Sequence, residues 1–231
     1  MMEMSHKLKK VDRSKLSDRV YTELSSLLIS GQLIPGDMFS LRGLADTLGT
    51  SAMPVREAVG RLVADRALEI LPNRAIRVPL MTVSRFLELR TIRIELEGLA
   101  TARAALNRSQ RQLNRMQDIQ IQFEVVRNCP QPNGKAAVRL NKNLHFCVYG
   151  AANMPILFDM IKALWLQIGP VLNYDLAVNS ESLSNRQAHI HHKNMVQAIK
   201  MKQPELACAA LVADLMSASE LIMQKHVLSP G

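Results

Sequence analysis

Ser51-Ala-Met-Pro-Val-Arg-Glu-Ala-Val-Gly-Arg-Leu-Val63 places Val55, Ala58, Val59, Leu62 and Val63 at helical spacing and so predicts one buried face. Arg56 and Arg61 are left pointing out. Ser51 is a natural N-cap, and Pro54 then falls in the first turn, where a missing N–H is harmless. Upstream, Leu41-Arg-Gly-Leu-Ala-Asp-Thr-Leu48 predicts a shorter helix with Leu41, Leu44, Ala45 and Leu48 inward. Gly49 between the two suits a left-handed helix end. Two short helices joined by a glycine turn, the second with outward arginines, form the helix-turn-helix pattern. Downstream, residues 68–71 and 76–78 read as short strands around the polar turn Pro72-Asn-Arg-Ala75. A hairpin there is a wing, with Arg74 near its tip. One more helix over residues 16–30, ended by Gly31, completes a winged helix-turn-helix domain over residues 10–78.

This stretch resembles the GntR family of bacterial transcription regulators. The matching residues are Gly31-Gln-Leu-Ile-Pro-Gly36, Leu44-Ala45, Pro54-Val-Arg-Glu-Ala58, Leu62 and the wing turn Pro72-Asn-Arg74, in order along the domain. The resemblance implies double-stranded DNA as partner, with Arg42 and Arg56 on bases or backbone, Ser51 on a phosphate and Arg74 in the minor groove. The family usually has an arginine where this chain has Ala52, so one major-groove contact is missing. A hairpin that only packs would need neither the outward arginines nor the basic wing.

The 231 residues are 48% hydrophobic and 4% aromatic, with a formal charge of +9. That is enough for two modest domains with helix-forming cores, and the charge points to a polyanionic partner. Residues 1–80 hold 12 Lys+Arg against 9 Asp+Glu and the remainder 17 against 11, so the basic excess is not concentrated in the winged part. Cys129, Cys147 and Cys208 form no Cys-x-x-Cys pair and read as reduced, mostly buried thiols of a cytoplasmic protein. Met1-Met-Glu-Met-Ser-His-Lys-Leu-Lys-Lys10 lacks the apolar core of a signal peptide. The apolar stretch over 156–172 is broken by Asp159, Lys162 and Pro170, so no membrane span is expected.

Residues 79–84 read as a linker, and the pattern beyond is helical. The chain is therefore mostly α, with an all-α bundle of about six helices over 85–228. Phe86, Leu89, Ile92, Leu96, Leu99 and Ala100 mark the first bundle helix, to about Asn107. Ser109 caps the second, which carries Leu113, Met116, Ile119, Ile121, Phe123 and Val126. The third spans 135–149 with Gly150 closing it, and the fourth spans 154–168 with Pro170 kinking or ending it. The last two run over 184–202 and 204–225.

This region resembles the FCD effector domain of the FadR-like subfamily. The resemblance rests on Leu89-x-x-x-Arg93-x-x-x-Glu97, Asn141-x-x-x-His145-Phe146, Ala151-Ala-Asn153, Ile156-Leu157 and His192-x-x-x-Val196-x-Ala-Ile199. It implies a homodimer whose bundle binds a small effector, often a carboxylate, often over a metal ion. It also implies that Arg93 can reach the cavity and pair with an effector carboxylate; a salt bridge to Glu97 is the other role open to it.

Asn141 and His145 are one turn apart on one helix face. His192 lies 11 residues before Gln203, and Asp214 lies 10 after Pro204. An antiparallel fold-back at 203–204 sets the two at one level, each arm climbing ~15 Å. Two imidazoles, a carboxylate and an amide then approach one point, a set suited to zinc, nickel or manganese. The family pattern is Asp, His, His, His. Here Asn141 stands first and Asp214 last, so the negative charge moves to another corner and a weakly ligating amide takes its place. The bland role for each histidine is a hydrogen-bonded core residue, and His189 and His191 fall on other faces.

These readings converge on a ligand-responsive repressor that binds an inverted-repeat operator as a homodimer and senses an organic acid. Two others stay open. One is a metal-free regulator sensing an acyl thioester in a cavity lined by some of the 13 methionines. The other is a metal-dependent enzyme using His145, His192 and Asp214, although the chain has no His-Glu-x-x-His, nucleophile elbow or phosphate loop.

Overall fold

The structure, a computed structural model, describes residues 13–129, 133–172, 187–224 and 228–229. The expected domain start at residue 10, the helix start at Ser184 and the helix end at Lys225 lie outside the described residues.

The N-terminal part comprises α1 (Arg13–Ile29), β1 (Met38–Phe39), α2 (Leu41–Thr47), α3 (Ala52–Ala64), β2 (Glu69–Ile70) and β3 (Ile76–Arg77). α1 ends where Gly31 turns left-handed (φ 68°) and the Gln32 N–H closes on the Leu27 carbonyl. The Ser40 hydroxyl caps α2 by accepting from the Gly43 N–H, and Gly49 (φ 61°) makes the tight turn to α3. Ser51 is the N-cap residue of α3, but its hydroxyl makes no capping bond. α3 buries Pro54, Val55, Ala58, Val59 and Leu62, packing on Val20, Leu24 and Leu28 of α1. Each fully buried valine or leucine contributes roughly 1.5–3 kcal/mol.

Arg61 is exposed, as expected, yet not free: its Nη1 lies 2.6 Å from Asp18 Oδ1 and its guanidinium 4.0 Å over the Tyr21 ring, both on α1. The wing is larger than expected. β2 and β3 pair as foreseen, Glu69 opposite Arg77, but β1 joins the other edge of β3 with Met38 opposite Arg77. Two residues are too few to show a strand's alternation.

Among the described residues, the bundle has six helices: α4 (Val83–Asn107), α5 (Gln110–Asn128), α6 (Gly134–Ala151), α7 (Pro155–Leu172), α8 (Ala188–Lys200) and α9 (Pro204–Gln224). Ser109 and Gln112 form a reciprocal capping box at the start of α5. Gly150 does not close α6; Asn153 makes the left-handed turn instead (φ 57°). Pro170 does not end α7 but lies inside it, two residues before its last described residue, Leu172. A helical proline crowds the Cβ of the residue before it, and here that residue is Gly169. Ile121, expected inward, is 57% exposed. The cysteines are free, and Cys129 is exposed while Cys147 and Cys208 are half-buried. By length and composition alone α7 and α9 could cross a membrane, although Asp159, Lys162 and Pro170 interrupt α7. Both are packed helices of this bundle, burying Ile161, Trp165, Leu211 and Leu215 among others.

The two parts meet along α7. Gly169 approaches α1 so closely that a Cβ would stand 2.7 Å from Ile29 Cα and 2.8 Å from the Leu28 carbonyl. Arg85 Nη2 donates to the Arg66 carbonyl behind α3 and to Gln167 Oε1 of α7, each at 3.0 Å. The connecting segment is itself packed: Met81 is buried beside Phe86, Ile168 and Ile222.

Gly169→Ala must displace backbone at this seam and should lower the unfolding free energy by about 1–3 kcal/mol. Gly60→Ala lies in a helix with nothing within 4 Å of the added Cβ and should raise it by about 0.5–1 kcal/mol. Denaturant melts check both signs; equal effects would show that the contact at Gly169 is not tight.

Candidate functional site

Four residues singled out for DNA lie on the surface of the winged part. Arg42 on α2, Ser51 at the start of α3, Arg56 in its second turn and Arg74 in the wing turn are all exposed. Arg42, Arg56 and Arg74 form no ion pair among the described residues. Arg74 adopts a left-handed backbone (φ 65°) and its N–H closes on the Leu71 carbonyl, while Asn73 Oδ1 accepts from the Ala75 N–H. Solvated arginines without internal partners are available to neutralise phosphates.

The bundle holds a second, buried group. It begins on α4, where Arg93 and Glu97 are 4% and 0% exposed. Arg93 Nε and Nη2 donate to Glu97 Oε1 and Oε2 at 2.6 and 3.2 Å. The guanidinium is thus committed to Glu97, the alternative to its expected effector role, although Arg93 still lines the adjoining cavity. Trp165 Nε1 of α7 donates to Glu97 Oε1 at 3.2 Å, and the Tyr149 hydroxyl of α6 donates to Glu97 Oε2. The Tyr149 oxygen lies 2.8 Å from His145 Nδ1. His145 Nε2 lies 3.3 Å from Asp214 Oδ2 of α9, and His192 Nε2 of α8 lies 3.7 Å from Asp214 Oδ1. The α8–α9 fold-back therefore brings His192 and Asp214 to one level. Asn141, one turn before His145, lines the same cavity. His189 and His191 are half-buried.

Burial dominates the protonation of this group. It drives the His192 imidazole down to about 4, opposed in part by Asp214, so the ring is neutral near neutral pH. Burial pushes the Asp214 carboxyl up, but His192 and His145 more than offset this and hold it at about 2. Burial, then Glu97, raises the Tyr149 hydroxyl well above its ordinary value.

The set fits a divalent metal. His145, His192 and Asp214 offer ligand atoms within 4.8 Å of one another. Ligands on tetrahedral zinc, with bonds of about 2.0–2.1 Å, lie about 3.3 Å apart, which is the His145–Asp214 separation. Both ring nitrogens of His192 are buried without a hydrogen bond, a penalty that a ligand bond removes. The carboxylate is ionised and the His192 imidazole neutral, the forms that coordinate. The cavity beside them offers about 40 Å³, and no methionine is among its described lining residues.

Tyr149 and Trp165 were not foreseeable as members in the same way. Tyr149 carries one signal, its i+4 spacing from His145 on the same face. Trp165 carries none beyond being the single tryptophan.

Comparisons with known proteins agree with this architecture. The profile of the bacterial regulatory proteins, gntR family, matches residues 16–78, and that of the FCD domain matches residues 88–216. The HTH-type transcriptional regulator McbR of Escherichia coli K12 is 31% identical over 218 residues, which cover 94% of this chain and 96% of McbR. The solved E. coli McbR/YncC structure superposes with a TM-score of 0.83 at 30% identity, covering 91% of this chain and 98% of that one. A GntR transcriptional regulator from Rhodococcus sp. RHA1 shares the fold at a TM-score of 0.71 and 19% identity, over 92% of this chain and 99% of its own. With both profiles in order along the chain and a relative matched over nearly its full length, the protein belongs to the GntR family of bacterial transcription regulators, in the FadR-like branch with a C-terminal FCD domain.

Proposed function

We propose that this transcription regulator acts in the bacterial cytoplasm as a repressor, binds an inverted-repeat operator as a homodimer, and senses a small organic acid bound over a divalent metal. The observation that carries the sensing half is the buried His192, without a hydrogen bond on either ring nitrogen, beside ionised Asp214 and His145. Zinc, nickel or manganese suits such a set. The metal's open positions would take the effector carboxylate. A cavity of about 40 Å³ with no methionine among its described lining residues supports a small acid over the acyl chain of a thioester. The enzyme reading draws on the same three ligands, and no further observation favours it.

Dimerisation is supported by α4. Ile92, Leu99 and Leu106 recur every seven residues and are 38, 42 and 48% exposed, an apolar stripe suited to a second copy. One winged helix also reads too few base pairs for specificity, which two copies on an inverted repeat provide. Coupling between the sites would run through α7, which touches the cavity with Trp165 and α1 with Gly169.

Arg56→Ala should weaken operator binding by about 1–3 kcal/mol through loss of a bidentate base contact. A mobility-shift titration at fixed salt measures this, and unchanged affinity removes Arg56 from the interface.

After incubation with manganese, zinc or nickel, elemental analysis should find metal in the protein, less in His192→Ala and tighter binding in Asn141→Asp. Effector carboxylates should then change operator affinity by about 1–3 kcal/mol, and operator should change effector affinity by the same factor. A parent protein without metal, unaltered by either substitution, would leave only a polar pocket.

The metal-free protein should also be acid-sensitive. Folded His192 takes its proton only at about 4, whereas an unfolded histidine takes it near 6.5. Between these values the unfolded chain binds the extra proton, so stability is complete above about 6.5 and falls toward pH 4. His192→Leu should flatten that slope. Denaturant midpoints in chelator give the comparison, and parallel slopes would mean the ring is not held neutral.

A further inference from the structure

We infer that Glu97 and Tyr149 are positioning residues for the metal site, holding His145 with its proton on Nδ1 and its Nε2 lone pair turned toward Asp214 and a divalent cation. The inference rests on the metal reading proposed above and adds residues that neither the ligand pattern nor the spacing assigns.

The direction of each hydrogen bond follows from which groups can donate. Glu97 Oε1 accepts from Arg93 Nε at 2.6 Å and Trp165 Nε1 at 3.2 Å. Glu97 Oε2 accepts from Arg93 Nη2 at 3.2 Å and from the Tyr149 hydroxyl. A carboxylate has about four acceptor positions, and all are taken. Arginine and the indole N–H only donate, so Glu97 has no proton to give and Tyr149 must be the donor between the two. The tyrosine oxygen then faces His145 Nδ1, at 2.8 Å, with a lone pair. That contact is a hydrogen bond only if Nδ1 carries the proton.

A neutral imidazole has one N–H. With Nδ1 protonated, Nε2 is a bare lone pair, and it lies 3.3 Å from Asp214 Oδ2. Two acceptors facing each other in a dry interior repel unless a cation, either a proton on Nε2 or a metal ion that displaces it, sits between them. The opposite arrangement, with His145 donating from Nε2 to Asp214, would require Tyr149 to turn its proton to Nδ1. Its oxygen would then meet Glu97 Oε2 lone pair to lone pair, equally buried. The three N–H donors from Arg93 and Trp165 leave the last acceptor position of Glu97 to Tyr149, which makes the first arrangement the satisfied one. Ligating histidines are commonly oriented in this way through their second nitrogen; here a tyrosine stands between the imidazole and the carboxylate.

The test uses full-length protein with ¹⁵N-labelled histidine. In the metal-free wild type, the His145 signals should show a proton on Nδ1, alone or together with one on Nε2. Tyr149→Phe should lose that preference. Glu97→Gln should reverse it, because the amide can donate to Tyr149 and so turn the tyrosine proton toward His145. Manganese and zinc affinities, measured by chelator competition, should fall by about 10–100-fold in both variants. Far-UV circular dichroism of each variant reports whether the fold is kept. A neutral wild-type ring with its proton on Nε2 and a bare Nδ1 overturns the inference directly. Metal uptake that both variants leave unchanged overturns the positioning role while sparing the metal reading. A wild type that takes up neither metal overturns the metal reading itself, and the inference with it.

Discussion

A carboxylate with no surface in water stays ionised only if charge and donors are brought to it, since its unpaired desolvation costs several kcal/mol. Glu97 is in that position, and the bundle is arranged around it. Its own helix supplies Arg93, α7 supplies Trp165 and α6 supplies Tyr149. From Tyr149 the contacts continue through His145 to Asp214 on α9 and His192 on α8. α5 closes the group with Phe123, whose ring meets His192 edge-on at 5.0 Å. All six bundle helices therefore touch one polar chain. Leucine and alanine faces alone tolerate sliding, whereas directional bonds fix register. The chain contributes geometry more than stability, because a buried pair rarely outperforms an apolar one of equal volume.

α7 carries that geometry to the DNA-binding part. Within five residues, Trp165 donates to Glu97, Gln167 accepts from Arg85, and Gly169 touches the end of α1. Arg85 also holds the carbonyl of Arg66, just beyond α3. At Gly169 backbone meets backbone, with no side chain to absorb a displacement, and close-packed interiors pass such shifts on. A proposed effector that displaced Trp165 would therefore press on α1 and, through Arg85, on the end of α3. The segment over 79–84 looks like a flexible linker by composition, but buried Met81 ties it to the same core.

Much of this was legible in the chain, for identifiable reasons. The helices of the winged part and bundle follow from periodicity and caps, because their buried faces are wide and their breaks carry Gly31, Gly49 and Ser109. His192 and Asp214 could be set level by counting residues on either side of the turn at 203–204, since helix rise is constant. What could not be read depends on what lies across a gap. Arg61 sits at an outward position of α3, yet α1 flanks it. Pro170 looks like a helix end, yet it lies inside α7, where the preceding glycine relieves one of its clashes. Arg93 has an acid four residues on and a cavity beside it, and no periodicity chooses between them. β1 is shorter than its own repeat can reveal.

On the proposed reading, charge decides how the cavity is filled. Arg93 and Glu97 cancel. Asp214, with neutral His192 beside it, leaves one negative charge in a small buried space. A divalent cation overshoots by one charge, and a single carboxylate on its open positions restores neutrality; a second carboxylate on the effector would have to reach water or another cation. The family's usual Asp with three histidines gives the same sum, so the exchange at Asn141 and Asp214 alters where charge lies, not how much. With the anion on α9, an effector carboxylate is repelled from that wall and driven toward α6. There Asn141 presents an amide that can donate to it. An asparagine is a poor metal ligand, but beside a metal-bound carboxylate it is a better neighbour than an aspartate, which would repel it.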